Sequence, residues 1–584
     1  MKKIITLFAA AAALVSCSLD FYRSDTMTST MLGENPGAAV YTTDGNYSMF
    51  KDRVDYSNTR SGNNYDRLYL LMNELRGDNV ALSGRTTDPL YQNNTYTDDP
   101  TLADLSYFWY NSYKIIYGCN SNIESMIEGV SVDTDHLIGE NYCLRALCHL
   151  NLVTLYATPY TRGADKPGVV LRTSTDCSVT VRNTVGEVFD QIVLDLEKAA
   201  TLMEKGARRG NAGFVSYNTA RGLLTRVHLY MGNYDKCIEV AEAMFEGNAA
   251  KNLDSDITNL YANTKNSTET LFCIGKIGTA DPDYSPKSQI ASMYYSPDSI
   301  GGTGWCEMYW SDPLMQLIFR HPEDKRLAMW GTIGATNDGA VMVHWPIVDP
   351  ANRFRLNANV NNVKGFDKNA AENKITYDGK SYTVKRTTER TGYPEYYIEN
   401  LLGDDVADDN DGFLGPKQTQ VYVRDNVSIA QGIRQTFPAY TMAKFSNQDG
   451  DPMLASPALI RWGEVVLNAA EAYAHKKDEA NALKYTNVIR TRAGIPTWAN
   501  KAAYEAEGYK ELLDVVLDER RMELCFEGFR ALDMYRNGKP LDRRFAGVHD
   551  WEVIDMEGMD FRYPYCIPFE ETSVSGIAGN GKNY

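Results

Sequence analysis

The stretch SYNTARGLLTRVHLYMGNYDKCIEVAEAMF, residues 216–245, decides the fold class. Ser216 is a helix cap by residue type, because its hydroxyl can serve a first-turn N–H that has no partner inside the helix. Ala220, Leu223, Leu224, Val227 and Tyr230 then recur at the spacing that puts them on one stripe of a helix. Gly232 and Asn233 turn the chain, and Tyr234, Cys237, Ile238, Ala241 and Phe245 form a second stripe. Two stripes joined by so short a turn make a helical hairpin, whose apolar faces need each other and further helices for burial.

Within this unit LYMGNYDKCIEVAEA resembles the tetratricopeptide pattern of small residues where two helices touch. A second hairpin is predicted from Trp462, Val465, Ala469, Ala472 and Tyr473, through HKKD, into Ala482, Leu483, Ile489 and Ala493. From about 36 to 275 the chain reads as successive amphipathic helices. Between about 276 and 456 the texture changes, with 11 of the 21 prolines and four of the eight tryptophans. Most of it reads as loop, but ITYDGKSYTV sets Ile375 and Tyr377 against Tyr382 and Val384 around Asp378 and Gly379, a hairpin signal. Its apolar runs are too few and broken to predict a separate core. The expected fold is mainly α: a tetratricopeptide-like scaffold with a loop-rich insertion holding a small sheet, and a third part from about 457 to 584. Residues 17–584 read as a single domain after a leader at 1–16.

Composition narrows the function class. The 584 residues carry 59 basic and 76 acidic side chains, a net charge of −17, so the broad positive field that nucleic acid needs is missing. Nucleic acid is not an expected partner. Hydrophobic residues make up 43%, and a mean hydropathy of −0.39 speaks against an integral membrane bundle. Tyrosine dominates the aromatics, 38 against 19 Phe and 8 Trp, which suits surfaces that hold polar ligands such as sugars.

The chain opens MKKIITLFAAAAALVSC, two lysines, an apolar run and then small residues, the form of an export leader. Leu14, Val15, Ser16 and Cys17 fit a lipobox, after which Cys17 becomes the acylated first residue of a bacterial lipoprotein. Acyl chains on Cys17 would anchor the protein to a membrane without threading it through. The other nine cysteines are an odd number with no CxxC pair, so a disulfide framework is not predicted. Cys143, Cys148, Cys237 and Cys525 read as packing residues.

The most specific text lies near the C-terminus: RWGEVVLNAAEAYA at 461–474, NVIRTRAG at 487–494, LDERRMELCFEGFRALDMYR at 517–536 and YPYCIPFEE at 563–571. Earlier stretches accompany it, among them NELRGDNV at 73–80, FWYNSYKIIYGCNSNIE at 108–124, ENYCLRALCHLNLVTLYATPY at 140–160 and VFDQIVLDLEKAATLM at 188–203. In this order they resemble the SusD/RagB family of nutrient-binding outer-membrane lipoproteins. The resemblance implies a helical fold with tetratricopeptide-like units, display at the outer membrane, and capture of an oligosaccharide beside a SusC-like TonB-dependent transporter. Peptide capture, as in RagB-like members, is the alternative within the binding class.

No enzyme is predicted. Glu519, Glu523 and Glu527 lie four apart on what reads as one helix through ERRMELCFEGFR, interleaved with Arg520, Arg521 and Arg530. A glycosidase would need two such carboxylates as acid and base, whereas ion pairs along the helix explain the same text. HExxH, GxSxG and a strand-borne GxGxxG are missing; GIAGNGK at 576–582 lacks the following Ser or Thr; the seven histidines show no ligand spacing. No cofactor or metal is implied, and DDVADDNDG at 404–412 misses the EF-hand spacing, so it reads as a solvated turn rather than a calcium loop. The expected ligand platform is MYYSPDSIGGTGWCEMYW at 293–310, whose Tyr294, Tyr295, Trp305, Tyr309 and Trp310 surround Gly301, Gly302 and Gly304. Sugar rings stack on such aromatic faces while their hydroxyls take hydrogen bonds from neighbouring polar groups. Arg76 and Asp78 in NELRGDNV are further polar candidates, and Trp109 reads as core.

Overall fold

The structure is a computed structural model that describes residues 37–53, 62–82, 86, 89–281, 284–294, 305, 307–329, 339–348, 355–389, 394–401, 418–425, 442–550 and 552–580. The leader, Cys17, Tyr295, the three loop glycines and the acidic run at 404–412 lie outside the described residues.

The N-terminal helices are α1 (Ala38–Met49), α2 (Tyr65–Leu75), α3 (Ala103–Ser125), α4 (Val132–Tyr156), α5 (Val185–Met203), α6 (Tyr217–Tyr230) and α7 (Tyr234–Phe245). After the short α8 (Asp312–Ile318) follow α9 (Trp462–His475), α10 (Glu479–Ala493), α11 (Leu512–Glu523), α12 (Arg530–Arg536) and α13 (Met556–Arg562). Each of α3, α4, α5, α6, α7, α9 and α10 packs on the next, which makes a stacked scaffold. The predicted hairpin is α6–α7. The Ser216 N–H donates to Thr219 Oγ1 at 3.0 Å, Gly232 turns with φ 74°, and the stripe from Ala220 to Tyr230 is buried. The second hairpin is α9–α10, where Asp478 caps α10 by accepting from the Asn481 N–H at 3.1 Å. One hydrophobic cluster runs from Phe50 to Ile577 and takes side chains from both ends of the chain.

The insertion is more ordered than its sequence suggests. Six antiparallel strands, β4 (Val341–Val348), β5 (Arg355–Val363), β6 (Glu372–Tyr377), β7 (Lys380–Thr387), β8 (Glu395–Glu399) and β9 (Gln418–Asp425), form one sheet in the order β5-β4-β9-β8-β7-β6. The predicted hairpin is there, with Ile375 opposite Tyr382 and with φ 48° at Asp378 and 74° at Gly379. The expectation that the insertion lacks a core is corrected. Val343, Trp345, Ile375, Val384, Ile398 and Val421, gathered from five strands, pack together as a cluster distinct from the main one. Helix α8 ties sheet to scaffold, since Gln316 donates to Glu395 at 3.2 Å and accepts from Gln420 at 3.4 Å.

Four short strands complete what positions the site. β1 (Val80–Leu82) pairs antiparallel with β3 (Met308–Trp310), and β2 (Thr270–Cys273) pairs with β10 (Ala458–Arg461). Among the described residues no helix is long and apolar enough to cross a membrane.

Candidate functional site

The helix expected through ERRMELCFEGFR stops at Glu523. Phe526 adopts φ 65° and Gly528 φ 82°, so residues 524–529 form a buried turn before α12. The three glutamates therefore do not share one face, and their partners come from other elements rather than from Arg520, Arg521 and Arg530. Arg461 Nη1 lies 2.7 Å from both Glu269 and Glu523, and its Nε lies 2.9 Å from Glu527. Arg492 bridges the same Glu269 and Glu523. Arg326 reaches Glu519 at 2.8 Å, Arg490 shares Glu519 at 3.1 Å, and Lys444 reaches Glu527 at 2.5 Å.

This network is closed to solvent. Burial alone would raise the Glu523 carboxyl, but Arg492, Arg461 and Arg326 outweigh it and hold the group well below its ordinary value. Glu527 is held low against burial by Arg461 and Lys444. A glycosidase acid must keep a proton and reach a substrate. Here the carboxylates are paired with cationic side chains and enclosed, so they join α11 to β10, α10 and the 324–326 turn. Among the described residues no group of three or more His, Cys, Asp or Glu could hold a metal.

Arg76 and Asp78 are corrected in the same way. Arg76 is buried, pairs with Asp98 at 2.5 Å, donates to the Arg562 carbonyl and lies over the Tyr565 ring. Asp78 is gripped by Arg530 at 2.8 Å and Arg521 at 3.2 Å; burial would raise its carboxyl, but the two guanidinium groups hold it below its ordinary value. Between them Glu74 accepts from the Gly528 N–H at 3.0 Å and from Asn79 at 2.8 Å. Here burial wins over the hydrogen bonds and lifts the carboxyl to about 7. NELRGDNV is thus a clasp between the amino-terminal half and the C-terminal motifs.

The aromatic stretch divides. β3 lies against β1, Trp310 opposite Val80 and Tyr309 opposite Ala81, which places it directly beyond the clasp. Tyr294 and Tyr309 are 1% exposed and Trp310 is 4% exposed. Tyr294 and Trp310 sit 5.3 and 6.1 Å from the Phe526 ring, on the turn that ends α11. The expected outward platform is therefore corrected for these three, whose rings complete the core because β1 and the Phe526 turn demand apolar cover.

Trp305 differs. Its backbone N–H donates to the Ser292 carbonyl, and its half-buried ring lies at the edge of the main cluster with Lys287 Nζ 5.1 Å from the ring centroid. Two residues on, Glu307 N–H donates to the Met293 carbonyl at 2.9 Å, and the Glu307 carboxylate accepts from the Thr86 hydroxyl. The arrangement offers a half-buried indole face with an ammonium over it, while the Glu307 carboxylate is buried and held by Thr86. Sequence reasoning missed Lys287. Nothing local in the sequence links Lys287 to that ring.

The residues 336–571 match the model of the SusD family, and residues 34–229 match one described as starch-binding, associating with the outer membrane. The SusD-like protein P38 of Formosa agariphila is 22% identical over 481 residues, 80% of this chain and 79% of the relative. A putative sugar binding protein of Bacteroides vulgatus has a solved structure that aligns with TM-score 0.63 and 20% identity over 94% of this chain and 98% of its own. A laminarin-binding SusD-like protein aligns with TM-score 0.56 and 17% identity over 94% and 100%. Scaffold and C-terminal motifs are thus matched in chain order by models of one kind, and the chain belongs to the SusD/RagB family.

Proposed function

We propose that the protein captures a neutral oligosaccharide at the outer membrane and delivers it to a SusC-like TonB-dependent transporter, without catalysis. The half-buried indole of Trp305, with the Lys287 ammonium over its ring, carries the reading. A flat ring stacks on the C–H face of a sugar while a neighbouring ammonium takes hydroxyl hydrogen bonds. Starch and laminarin, named for a matching family model and a solved relative, are both neutral glucans, which favours an uncharged chain over a peptide.

Anchoring would come from acylated Cys17. The transporter reading finds support in apolar side chains at one end of the scaffold. Ile127, Val130 and Val132 are exposed at the α3–α4 turn, and Leu194 is exposed on α5, four residues before Lys198, which pairs with Glu128 of that turn at 2.7 Å. Such a cluster fits a protein partner better than water. A glycan array probed with the purified protein, followed by calorimetry on the selected oligosaccharide, tests the reading. Affinity without product supports it; no affinity for any glycan, or release of cleaved product, overturns it.

A further inference from the structure

Helix α3 carries three different faces. Leu105, Phe108, Ile115 and Cys119 point into the core. Asn111 and Lys114 face α1 and the residues after it, donating to the Met49 carbonyl at 3.1 Å and to Asp52 at 2.7 Å. The third face bears Tyr110, Tyr113 and Tyr117, whose three- and four-residue spacing lines them up over about 10 Å of axis. They form one wall of an open cleft of about 140 Å³, flanked on its other sides by the 170–177 segment and by residues 571–577.

The wall is set for contact with a ligand. Tyr117 is 49% exposed, and Tyr110 and Tyr113 are half-buried. Tyr113 donates its phenol to the Val170 carbonyl at 2.8 Å, which fixes the orientation of its ring. Across from the tyrosines stand Arg172 and Glu571. Glu571 is raised above its ordinary value by burial, against hydrogen bonds from Ser575 and from the Trp109 indole on the floor. One guanidinium balances one carboxyl, so the cleft selects for neither anion nor cation. Flat apolar faces with a balanced polar rim suit a polyhydroxyl ring, and the length of the tyrosine row matches two linked rings.

We propose that this cleft binds two hexose units of a neutral glycan chain, as a second contact built from none of the residues around Trp305. The proposal rests on the glycan reading of the protein. Cys177 lines the cleft and is exposed, whereas the other seven cysteines among the described residues are buried. Its alkylation therefore reads occupancy.

The full chain in detergent is treated with iodoacetamide, alone and with laminarihexaose or maltohexaose. Labelling is followed at the Cys177 peptide by mass spectrometry, and binding is measured in parallel by calorimetry. Slower labelling with at least one of the two oligosaccharides is expected, and Tyr117→Ala should weaken the affinity read from that protection about tenfold. An unchanged melting temperature for that variant keeps the comparison one of binding. Binding without protection of Cys177, or protection that Tyr117→Ala leaves unaltered, overturns the cleft and leaves the glycan reading standing. Neither binding nor protection overturns the cleft, and the glycan array then decides whether the glycan reading falls with it.

Discussion

The guanidinium carbon of Arg76 lies 3.6 Å from the centroid of the Tyr565 ring, while Nη2 of the same side chain meets Asp98 at 2.5 Å. One side chain near the start of the fold is thereby held between a neighbouring carboxylate and an aromatic ring from the last motif. Arg76→Ala leaves Asp98 buried without its counter-charge and should cost about 3–5 kcal/mol of stability. Denaturant unfolding measures it. A loss under about 1 kcal/mol would show that the pair does not support the fold.

Glu74 makes stability depend on pH. Its folded carboxyl titrates near 7 against an ordinary 4.5, so between these values the folded protein keeps a proton that the unfolded chain has lost. Stability therefore falls as pH rises through that window, by about 3 kcal/mol in all. Glu74→Gln removes the titrating group and should flatten this slope by that amount. Unfolding curves for parent and variant at several pH values across the window check it, and parallel slopes would place the pH response elsewhere.

Trp305 and Trp310 should part company on substitution. Trp310→Ala empties core between β1 and the Phe526 turn and should cost about 3–5 kcal/mol of stability. Trp305→Ala removes a half-buried ring, and the affinity for the array-selected glycan should drop about tenfold. Melting and calorimetry on both variants decide the matter. Equal affinity in Trp305→Ala and the parent would move the capture site away from that ring.

Anchoring is tested at the other end of the chain. Cys17→Ala should abolish acylation and leave the protein unprocessed or free of the membrane fraction. Mass spectrometry of the amino-terminal peptide and membrane fractionation read the two effects. Full membrane retention of the variant would assign the attachment to another feature.

The helical hairpins were legible because burying one face of a helix imposes a short period on the sequence, and Ala220 to Tyr230 display it without interruption. The 375–384 hairpin was legible because Asp378 and Gly379 accept the left-handed turn that closes it. The rest of the sheet was not. β4 pairs with β9, Val341 opposite Asp425, and no local period names a partner so distant in the chain. The turn at Phe526 was hidden for a related reason: its glutamates keep helical spacing, while the left-handed backbone at Phe526 is imposed by packing around Tyr294 and Trp310.

At the site, residue type was legible in the sequence and depth was not. Arg76, Asp78, Tyr294, Tyr309 and Trp310 are all groups that can hold a sugar, but their burial is decided by strands and charges from elsewhere in the chain. Tyr110 and Tyr117 show the converse. Their cleft closes only when α3 meets the 170–177 and 571–577 segments, a meeting that the helix sequence does not announce.

The clasp around residues 73–80 also sets an order of events at synthesis. A ribosome releases the amino end first, so Glu74, Arg76 and Asp78 emerge long before Arg521, Gly528, Arg530 and Tyr565, their partners in the finished fold. Until those arrive, closing the amino-terminal half would enclose the Asp78 carboxylate with no counter-ion, which is unfavourable. The closing residues thus serve as a clock: enclosing Asp78 becomes favourable only once residues 521–530 have been made.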